Sequence, residues 1–332
     1  ILEHLGNDNE EADLAGRGML LWGKMTDQYS QNTQGYVSNS DISRSYYKNR
    51  TGWTQPHLVS YAESHDEERV MYKNITFGNT GNPSHNVRST PIALSRTEAM
   101  QAFLLMIPGP KMIWQFGELG YDFSINRCVD GTISNDCRLS NKPIRWDYLT
   151  VVQRKRLYDI FASVNKLRFH PWYKDVFIAN NINIARSLNG AFKSMTIRSA
   201  TDSSMLCVVG NFDVTAQTAG FAFPAGGTWY DYLNGSTFTA TGTAQNLTLQ
   251  PGEFHIYLNR NLTNAVVTST GGTDTPGNQL IASVFPNPAT VTSVLEIEVP
   301  QTGNVQAELF NAAGQKMTTV LAQMFTRGKH RI

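Results

Sequence analysis

The sequence has no stretch of about 18 uninterrupted apolar residues, the length that a membrane-spanning helix needs. It also has no excess of one charge, since 28 Lys and Arg nearly balance 27 Asp and Glu. This balance argues against nucleic acid or an anionic membrane as the main partner and favours a neutral substrate. Apolar residues are not scarce: 41% of the chain is hydrophobic, which excludes a disordered protein. A length of 332 residues predicts two or three domains.

Cysteine is scarce, with three residues in the chain. Cys128 and Cys137 lie within the loop-like stretch "CVDGTISNDC". In an oxidising compartment these two would form a local disulfide, and otherwise they are two unpaired thiols. Cys207 lies in the apolar run "MLCVVGNF", which is typical of a small buried hydrophobic residue.

An initiator Met and a signal peptide are also lacking. The chain opens inside the apolar, strand-like run "ILEHLG" and stops at "FTRGKHRI", with no cap or turn at its beginning. We therefore expect it to be the back part of a longer protein.

Residues 1–174 alternate short apolar runs with helical patterns. The predicted strands are "ILEHL", "MLLWGKM", "HLVSYAES" and "KMIWQFG". A helix is predicted in "SRTEAMQAFLLMI", where Ser95 and Glu98 have the spacing of a capping box and Pro108 follows the end. Another is predicted in "TVVQRKRLYDIFASVNKLRF". Apolar strands separated by helices predict a parallel sheet buried on both faces.

The pattern becomes all-β from residue 175 onward. Short alternating strands separated by turn residues predict an antiparallel β-sandwich over residues 175–261. Residues 262–280 are rich in Thr, Gly and Asn and predict a linker. Residues 281–332 predict a small β-unit, in which "NAAGQ" is a candidate hairpin turn. The predicted fold class is thus α/β followed by all-β.

One stretch, "VSYAESHDEERVMYK", leaves a strand and places six ionisable groups within seven residues, Glu63 to Arg69. Such a stretch is either a solvated loop or an active site, because the carboxyl ends of parallel strands carry the chemistry of α/β enzymes.

Several of these motifs resemble a known family. "ILEHLG", "MLLWGKM", "ESHDEER" and "QFGELG" resemble the last four strand segments of the (β/α)8 barrel of α-amylase-type enzymes, glycoside hydrolase family 13. "GTWYDYLNG" and "LTLQPGEFHIYL" resemble the final strands of that family's C-terminal β-sandwich. "VFPNPAT" resembles the sorting domain of the type IX secretion system of Bacteroidetes, here cut short.

The resemblance implies roles for four residues. Glu3 matches the general acid/base of a retaining glycosidase, and we expect Leu2 and Leu5 to desolvate it and raise its pKa. Asp66 matches the carboxylate that stabilises the oxocarbenium-like transition state, and His65 would hydrogen-bond the same sugar ring. Tyr61 is a weaker candidate for stacking on a sugar.

Other residues of the same motifs are expected to support the site. Arg69, with Glu67 and Glu68, is expected to form ion pairs that orient the loop, and Glu118 is expected to support the site. Trp22 and Trp114 are interpreted as barrel core.

The first four barrel strands of the family are lacking, and with them the Asp nucleophile and its neighbouring Arg. The chain alone is therefore expected to be inactive on starch-like α-glucan. The chemistry requires no cofactor and no metal. The resemblance leaves calcium open for a full-length protein, but its ligands are not identifiable here. The expected partners are the glucan and the secretion machinery, the latter implying a secreted or cell-surface location.

Two alternatives stay open at this stage. A glucan transferase or branching enzyme of the same family would share these site residues. A non-catalytic carbohydrate-binding surface protein would be built from the same modules without the reaction.

Overall fold

The computed structural model divides the chain into two compact units, Ile1–Thr268 and Ser269–Ile332. The domain boundary expected near residue 174 stays a prediction. The structure describes residues 1–178, 182–262, 281–285, 292–299, 301–310 and 316–332.

Parallel strand segments form the centre of the first unit. Strand β1 (Leu21–Lys24) pairs with β2 (Leu58–Tyr61) in parallel, so that Lys24 lies opposite Tyr61. The two outer predicted strands are reduced to single bridges, Leu2 to Leu21 and Ser60 to Lys111, both parallel. Within the described residues, each outer segment has a strand neighbour on one side only.

Helices connect these segments, as expected for a βα-repeat. The helices in the described residues are α1 (Asp8–Gly16), α2 (Thr26–Gln34), α3 (Val70–Phe77), α4 (Thr90–Met106), α5 (Val152–Phe169) and α6 (Asp175–Ile178). Helix α1 precedes β1, α2 follows it, α3 and α4 follow β2, and α5 follows the Lys111 segment. The fold of this part is a partial (β/α) barrel.

The predicted start of α4 was wrong. The helix begins at Thr90 after the N-cap Ser89, so Ser95 and Glu98 lie in its interior and form no capping box. Glu98 is buried and pairs instead with Arg156 of α5 at 2.9 Å. Burial raises the pKa of Glu98 to about 7, against the opposing effect of the Arg156 guanidinium. The end before Pro108 is confirmed, since α4 ends at Met106.

An antiparallel β-sandwich follows, as predicted from the alternating pattern. A six-stranded sheet has the order β3-β4-β5-β10-β7-β8, and β6 pairs with β9 in a second sheet. The strands are β3 (Ile182–Ser187), β4 (Phe192–Ser199), β5 (Met205–Asn211), β6 (Gln217–Ala222), β7 (Gly227–Asp231), β8 (Thr237–Ala240), β9 (Ala244–Leu249) and β10 (Phe254–Leu258).

Each face of the large sheet has its own apolar core. Cys207, Trp229 and Tyr257 belong to the cluster between the two sheets. On the opposite face, Leu206 and Val208 belong to the cluster that contains the apolar side chains of α4 and α5. Phe103 of α4 contacts Phe212 with ring centroids 5.2 Å apart. The sandwich and the helical layer therefore share a core and form one compact unit.

The second unit is small and all-β. Strands β11 (Ile281–Phe285), β12 (Val294–Val299) and β15 (Gly328–Arg331) form one antiparallel sheet, and β13 (Gly303–Phe310) pairs with β14 (Lys316–Phe325). The predicted turn "NAAGQ", residues 311–315, and most of "VFPNPAT" lie outside the described residues.

In the described part of the chain, no helix is both long and apolar enough to cross a membrane.

A histidine in the sandwich, His255, contacts a carboxylate with each of its two ring nitrogens. His255 Nδ1 lies 2.6 Å from Asp231 Oδ2, and its Nε2 lies 3.0 Å from Glu253 Oε1. The Asp231 side chain is fully buried. Burial alone would lower the pKa of His255, but the hydrogen bonds and negative charges of Asp231 and Glu253 raise this pKa to about 9.

We predict that this cluster makes stability depend on pH. Because the folded pKa of His255 exceeds its ordinary value of about 6.5, its stabilisation is complete below that value and is lost as the pH rises through about 9. Relative to His255→Gln, the wild-type free energy of unfolding should fall by on the order of 3 kcal/mol between about pH 6 and about pH 10.

Urea unfolding followed by Trp fluorescence measures this difference. All six Trp lie between positions 22 and 229, so the signal reports the first unit alone. A wild-type to variant difference that is the same at both pH values would contradict the prediction.

Candidate active site

The candidate site lies where β2 ends. Tyr61, the last residue of β2, is buried, and so are Glu63 and Ser64 after it. His65 and Asp66, the next two residues, are exposed. The chain therefore leaves the core at His65, at the carboxyl end of a buried parallel strand, which is where α/β enzymes bind substrates.

A buried ion pair fixes the base of this loop. Arg69 Nη2 donates to Glu63 Oε1 at 2.8 Å, and the Val70 amide at the start of α3 donates to Glu63 Oε2 at 2.8 Å. Arg69 also donates to the main-chain carbonyl of Gln115 and lies over the Tyr121 ring at 4.8 Å. Arg69 thus pairs with Glu63, to which the sequence interpretation assigned no role, and its predicted supporting role stays a prediction.

Two further acidic residues of the loop, Glu67 and Glu68, bind protein groups. Glu67 pairs with Lys24 of β1 at 2.8 Å and accepts a hydrogen bond from Ser64. Glu68 accepts from Ser124 Oγ at 2.6 Å and from the Ile125 amide at 2.7 Å. Glu67 thus forms an ion pair as expected, whereas Glu68 binds uncharged groups, and their predicted role in orienting the loop stays a prediction.

Two aromatic rings lie beside the exposed His65 side chain. Its ring centroid lies 5.8 Å from Trp22 and 5.8 Å from Trp114, and Trp22 lies 5.3 Å from Tyr61. Trp22 and Trp114 are only partly buried. Their interpretation as barrel core was therefore wrong in part, because both rings border the exposed face that carries His65.

Asp66 carries its charge on the surface. Its side chain is 58% exposed, and Arg138 Nη2 lies 2.7 Å from its Oδ1. The hydrogen bond from Arg138 lowers the pKa of Asp66, and the charges of Arg138, His65 and Lys24 act in the same direction. Asp66 is thus held as a carboxylate. Arg138 is 72 residues away in sequence and formed no part of the predicted site.

Glu3 is close to this face but not shielded. Its charge acts on the Tyr61 hydroxyl together with those of Glu67 and Asp66, while burial is the main cause that raises the pKa of Tyr61. Glu3 is exposed, and Leu2 and Leu5 are 40% and 61% exposed. The expectation that these two leucines desolvate Glu3 was therefore wrong for this chain, since the outer segment makes only one bridge.

Glu118 lies half-buried in the wall of a cavity of about 450 Å³. This cavity is lined by apolar and aromatic side chains, among them Ile113, Phe116 and Trp146, and its lining does not include His65 or Asp66. Burial raises the pKa of Glu118. Its predicted supporting role stays a prediction.

Cys128 and Cys137 are joined by a disulfide, and Cys207 is a buried free thiol. The bridge lies in the segment between Lys111 and α5, which also carries Arg138. Across the described ranges, no three His, Cys, Asp or Glu side chains gather as ligands for a metal.

Comparisons with known proteins concern the fold. No family model matches this chain, and no curated protein matches it. Among solved structures, it is similar to a γ-CGTase from alkalophilic Bacillus clarkii, with a TM-score of 0.53, 16% identity, and coverage of 98% of this chain and 48% of that one.

Two α-amylase structures are similar to it at the same level. They are an AmyP complex with maltose, with a TM-score of 0.52, 13% identity and coverage of 72% and 49%, and an Anoxybacillus α-amylase, with a TM-score of 0.52, 13% identity and coverage of 78% and 52%. The chain thus spans about half the length of the solved proteins it resembles. These likenesses show that its fold is of the α-amylase type, a partial barrel followed by a β-domain.

Proposed function

We propose that this chain is part of a retaining α-glucan hydrolase and carries one side of its active site. The observation that supports this most is that an exposed imidazole, His65, and an exposed carboxylate, Asp66, follow each other at the carboxyl end of β2. Trp22 and Trp114 border the same face. The fold likeness to an AmyP complex with maltose and to an Anoxybacillus α-amylase is in keeping with this proposal.

The substrate class follows from the chemistry of this face. Sugars are neutral and combine hydroxyl groups with apolar ring faces, which suits aromatic side chains beside a few charged hydrogen-bonding groups. The chain itself is close to electroneutral, with a formal net charge of +1. An uncharged α-glucan therefore fits better than an anionic polymer.

Each residue has a defined role in the proposed reaction. Asp66, held ionised by Arg138, stabilises the positive charge that develops on the sugar ring in an oxocarbenium-like transition state. His65 donates a hydrogen bond to the same ring. Glu3 is the general acid/base, a role that requires more shielding than the described residues give it. The nucleophile is a third carboxylate, supplied by a longer form of the protein.

Two other functions remain candidates. Glucan transfer uses the same residues, and the similarity to a γ-CGTase supports keeping it. A non-catalytic glucan-binding role is supported by the exposure of Glu3 and by the aromatic border of His65.

We predict that Asp66→Asn in a longer, active form lowers kcat by on the order of 10²-fold or more, because the near-isosteric amide removes the charge that faces the transition state. Reducing-sugar release from soluble starch measures this. Asp13→Asn is the matched control, since Asp13 is also an exposed carboxylate paired with an Arg, Arg17 at 2.9 Å.

The 332-residue chain assayed beside these variants should release no sugar above a Glu3→Gln control, because a retaining enzyme has no first step without its nucleophile. Retention of most of the kcat by Asp66→Asn would refute the role of Asp66. Starch binding by the longer form without turnover would favour the binding protein, and products longer than the substrate would favour transfer.

We also propose that the second unit directs secretion to the outside of the cell or to its surface. The motif "VFPNPAT" after a Thr- and Gly-rich stretch supports this, as does the separation of residues 269–332 into a compact β-unit of their own.

In a longer, active form, deletion from about Thr268 onward should then leave glucan cleavage unchanged but retain the protein in the periplasm of its native host, because the deleted unit serves export and not catalysis. Activity in culture supernatant and in periplasmic extract measures this. Secretion of the truncated protein at the wild-type level would contradict the proposal.

A further inference from the structure

The segment from Ser124 to Arg138 contacts the loop after β2 at both of its ends. At its beginning, Ser124 Oγ and the Ile125 amide donate to Glu68 at 2.6 and 2.7 Å. At its end, Arg138 Nη2 donates to Asp66 Oδ1 at 2.7 Å and also to the main-chain carbonyl of Asp66. We call residues 124–138 the arm. It joins the candidate site through two acidic residues that are two positions apart.

The arm is braced internally. The Cys128–Cys137 disulfide closes it immediately before Arg138. The Ser134 amide donates to the Asn126 carbonyl at 2.9 Å, so that the two sides of the arm are paired. Lys142 Nζ donates to the Cys137 carbonyl at 2.7 Å, which fixes the backbone next to Arg138 from the other side. Arg138 therefore extends from a backbone with little freedom.

This bracing bears on the free energy that the Arg138–Asp66 ion pair can gain. The Arg138 and Asp66 side chains are 43% and 58% exposed. Exposed ion pairs contribute little free energy of stabilisation on average, because water screens the charges and two long side chains lose conformational freedom when they meet. A disulfide removes part of this entropic cost in advance, since it limits where Arg138 can go in the absence of the pair. Two hydrogen bonds from one nitrogen further fix the geometry.

We propose that the disulfide-braced arm positions Asp66 for the sugar, with Arg138 as its positioning residue. Arg138 occupies Oδ1 and the main-chain carbonyl, which leaves Oδ2 free of this contact and available to a sugar hydroxyl. The backbone of Asp66 is held from the other side, where its amide donates to Ser64 Oγ at 3.2 Å. The catalytic consequence rests on the proposed function, whereas the positioning of Asp66 does not.

Other charged groups also act around Asp66 and have to be separated from Arg138 in a test. His65 on the same loop and Lys24 on β1 both favour its ionised form. Glu67 and Glu3 lie close enough for their charges to act, with that of Asp66, on Tyr61. A test must therefore change Arg138 and its brace while these groups stay in place.

The test is an NMR titration of the Asp66 carboxyl group in the 332-residue chain, with the signal assigned by its loss in Asp66→Asn. Arg138→Gln should raise the pKa of Asp66, and Arg138→Lys should restore part of the difference, because a lysine keeps the charge but not the planar geometry. Arg17→Gln is the matched control, since it removes another exposed Arg of an Asp pair and should leave the titration unchanged.

The brace is tested in a second background, Cys128→Ser with Cys137→Ser, whose Trp fluorescence confirms that the unit is folded. There, Arg138→Gln should shift the pKa of Asp66 by less than it does in the wild type. If Asp66 has the same pKa in the wild type and in Arg138→Gln, the positioning role is overturned. An equal shift with and without the cysteines would overturn the role of the disulfide.

An active longer form separates this inference from the proposed function. Arg138→Gln should move the acidic limb of its kcat/KM profile to higher pH, because Asp66 has to be ionised for turnover, as the nucleophile carboxylate also does. If Asp66→Asn keeps its activity while Arg138→Gln still shifts the Asp66 titration, the proposed catalytic role of Asp66 fails and the positioning role stands.

Discussion

The buried contact between Glu63 and Arg69 joins three separate parts of the chain. Glu63 ends the β2 region, Arg69 and the Val70 amide begin α3, and the Gln115 carbonyl belongs to the segment after Lys111. A side chain at Gly117 would collide with the Glu63 carboxylate, so the chain passes close to the pair at that point. Removing one partner of such a pair costs about 3–5 kcal/mol, because the other charge is left buried alone. The geometry of the loop therefore depends on this contact.

The exposure of His65 and Asp66 follows from the same contact. Glu63 and Arg69 are both buried and in contact, so the five residues between them form a loop whose ends are close together. Glu67 and Glu68 are bound to Lys24 and Ser124 on opposite sides. The loop can then expose the side chains of His65 and Asp66 while its backbone conformation is kept by these contacts. Preorganisation of this kind is what electrostatic stabilisation of a transition state requires.

The strands of the sandwich could be predicted because their environment is simple. In β4, buried and partly buried residues alternate until Ile197, the pattern of a strand with one covered face. Helix α2 has no such signal, since "TDQYSQNTQ" is polar and yet mostly buried. Its burial depends on tertiary contacts, in which the carbonyls of Asn32 and Thr33 accept hydrogen bonds from Arg96. Local sequence cannot report a partner that lies 63 residues away.

The same distinction applies to the site. His65 and Asp66 could be proposed because they follow a recognisable strand within a motif, "ESHDEER", that resembles a known family. Arg138 could not, because nothing within its own segment indicates that it reaches Asp66.

Arg96 shows how the two parts of the first unit depend on each other. Its guanidinium is buried and donates to the carbonyls of Asn32 and Thr33 at the end of α2 and to those of Phe212 and Asp213 after β5. Carbonyls at a helix end lack partners within the helix, and a buried guanidinium requires several acceptors. The Arg96 guanidinium thus finds acceptors, and the carbonyls find a hydrogen-bond donor. Because α2 follows β1, which supplies Lys24 to Glu67, the sandwich and the candidate site belong to one network of contacts. A change in the sandwich that displaced Phe212 would therefore remove one acceptor of this buried guanidinium.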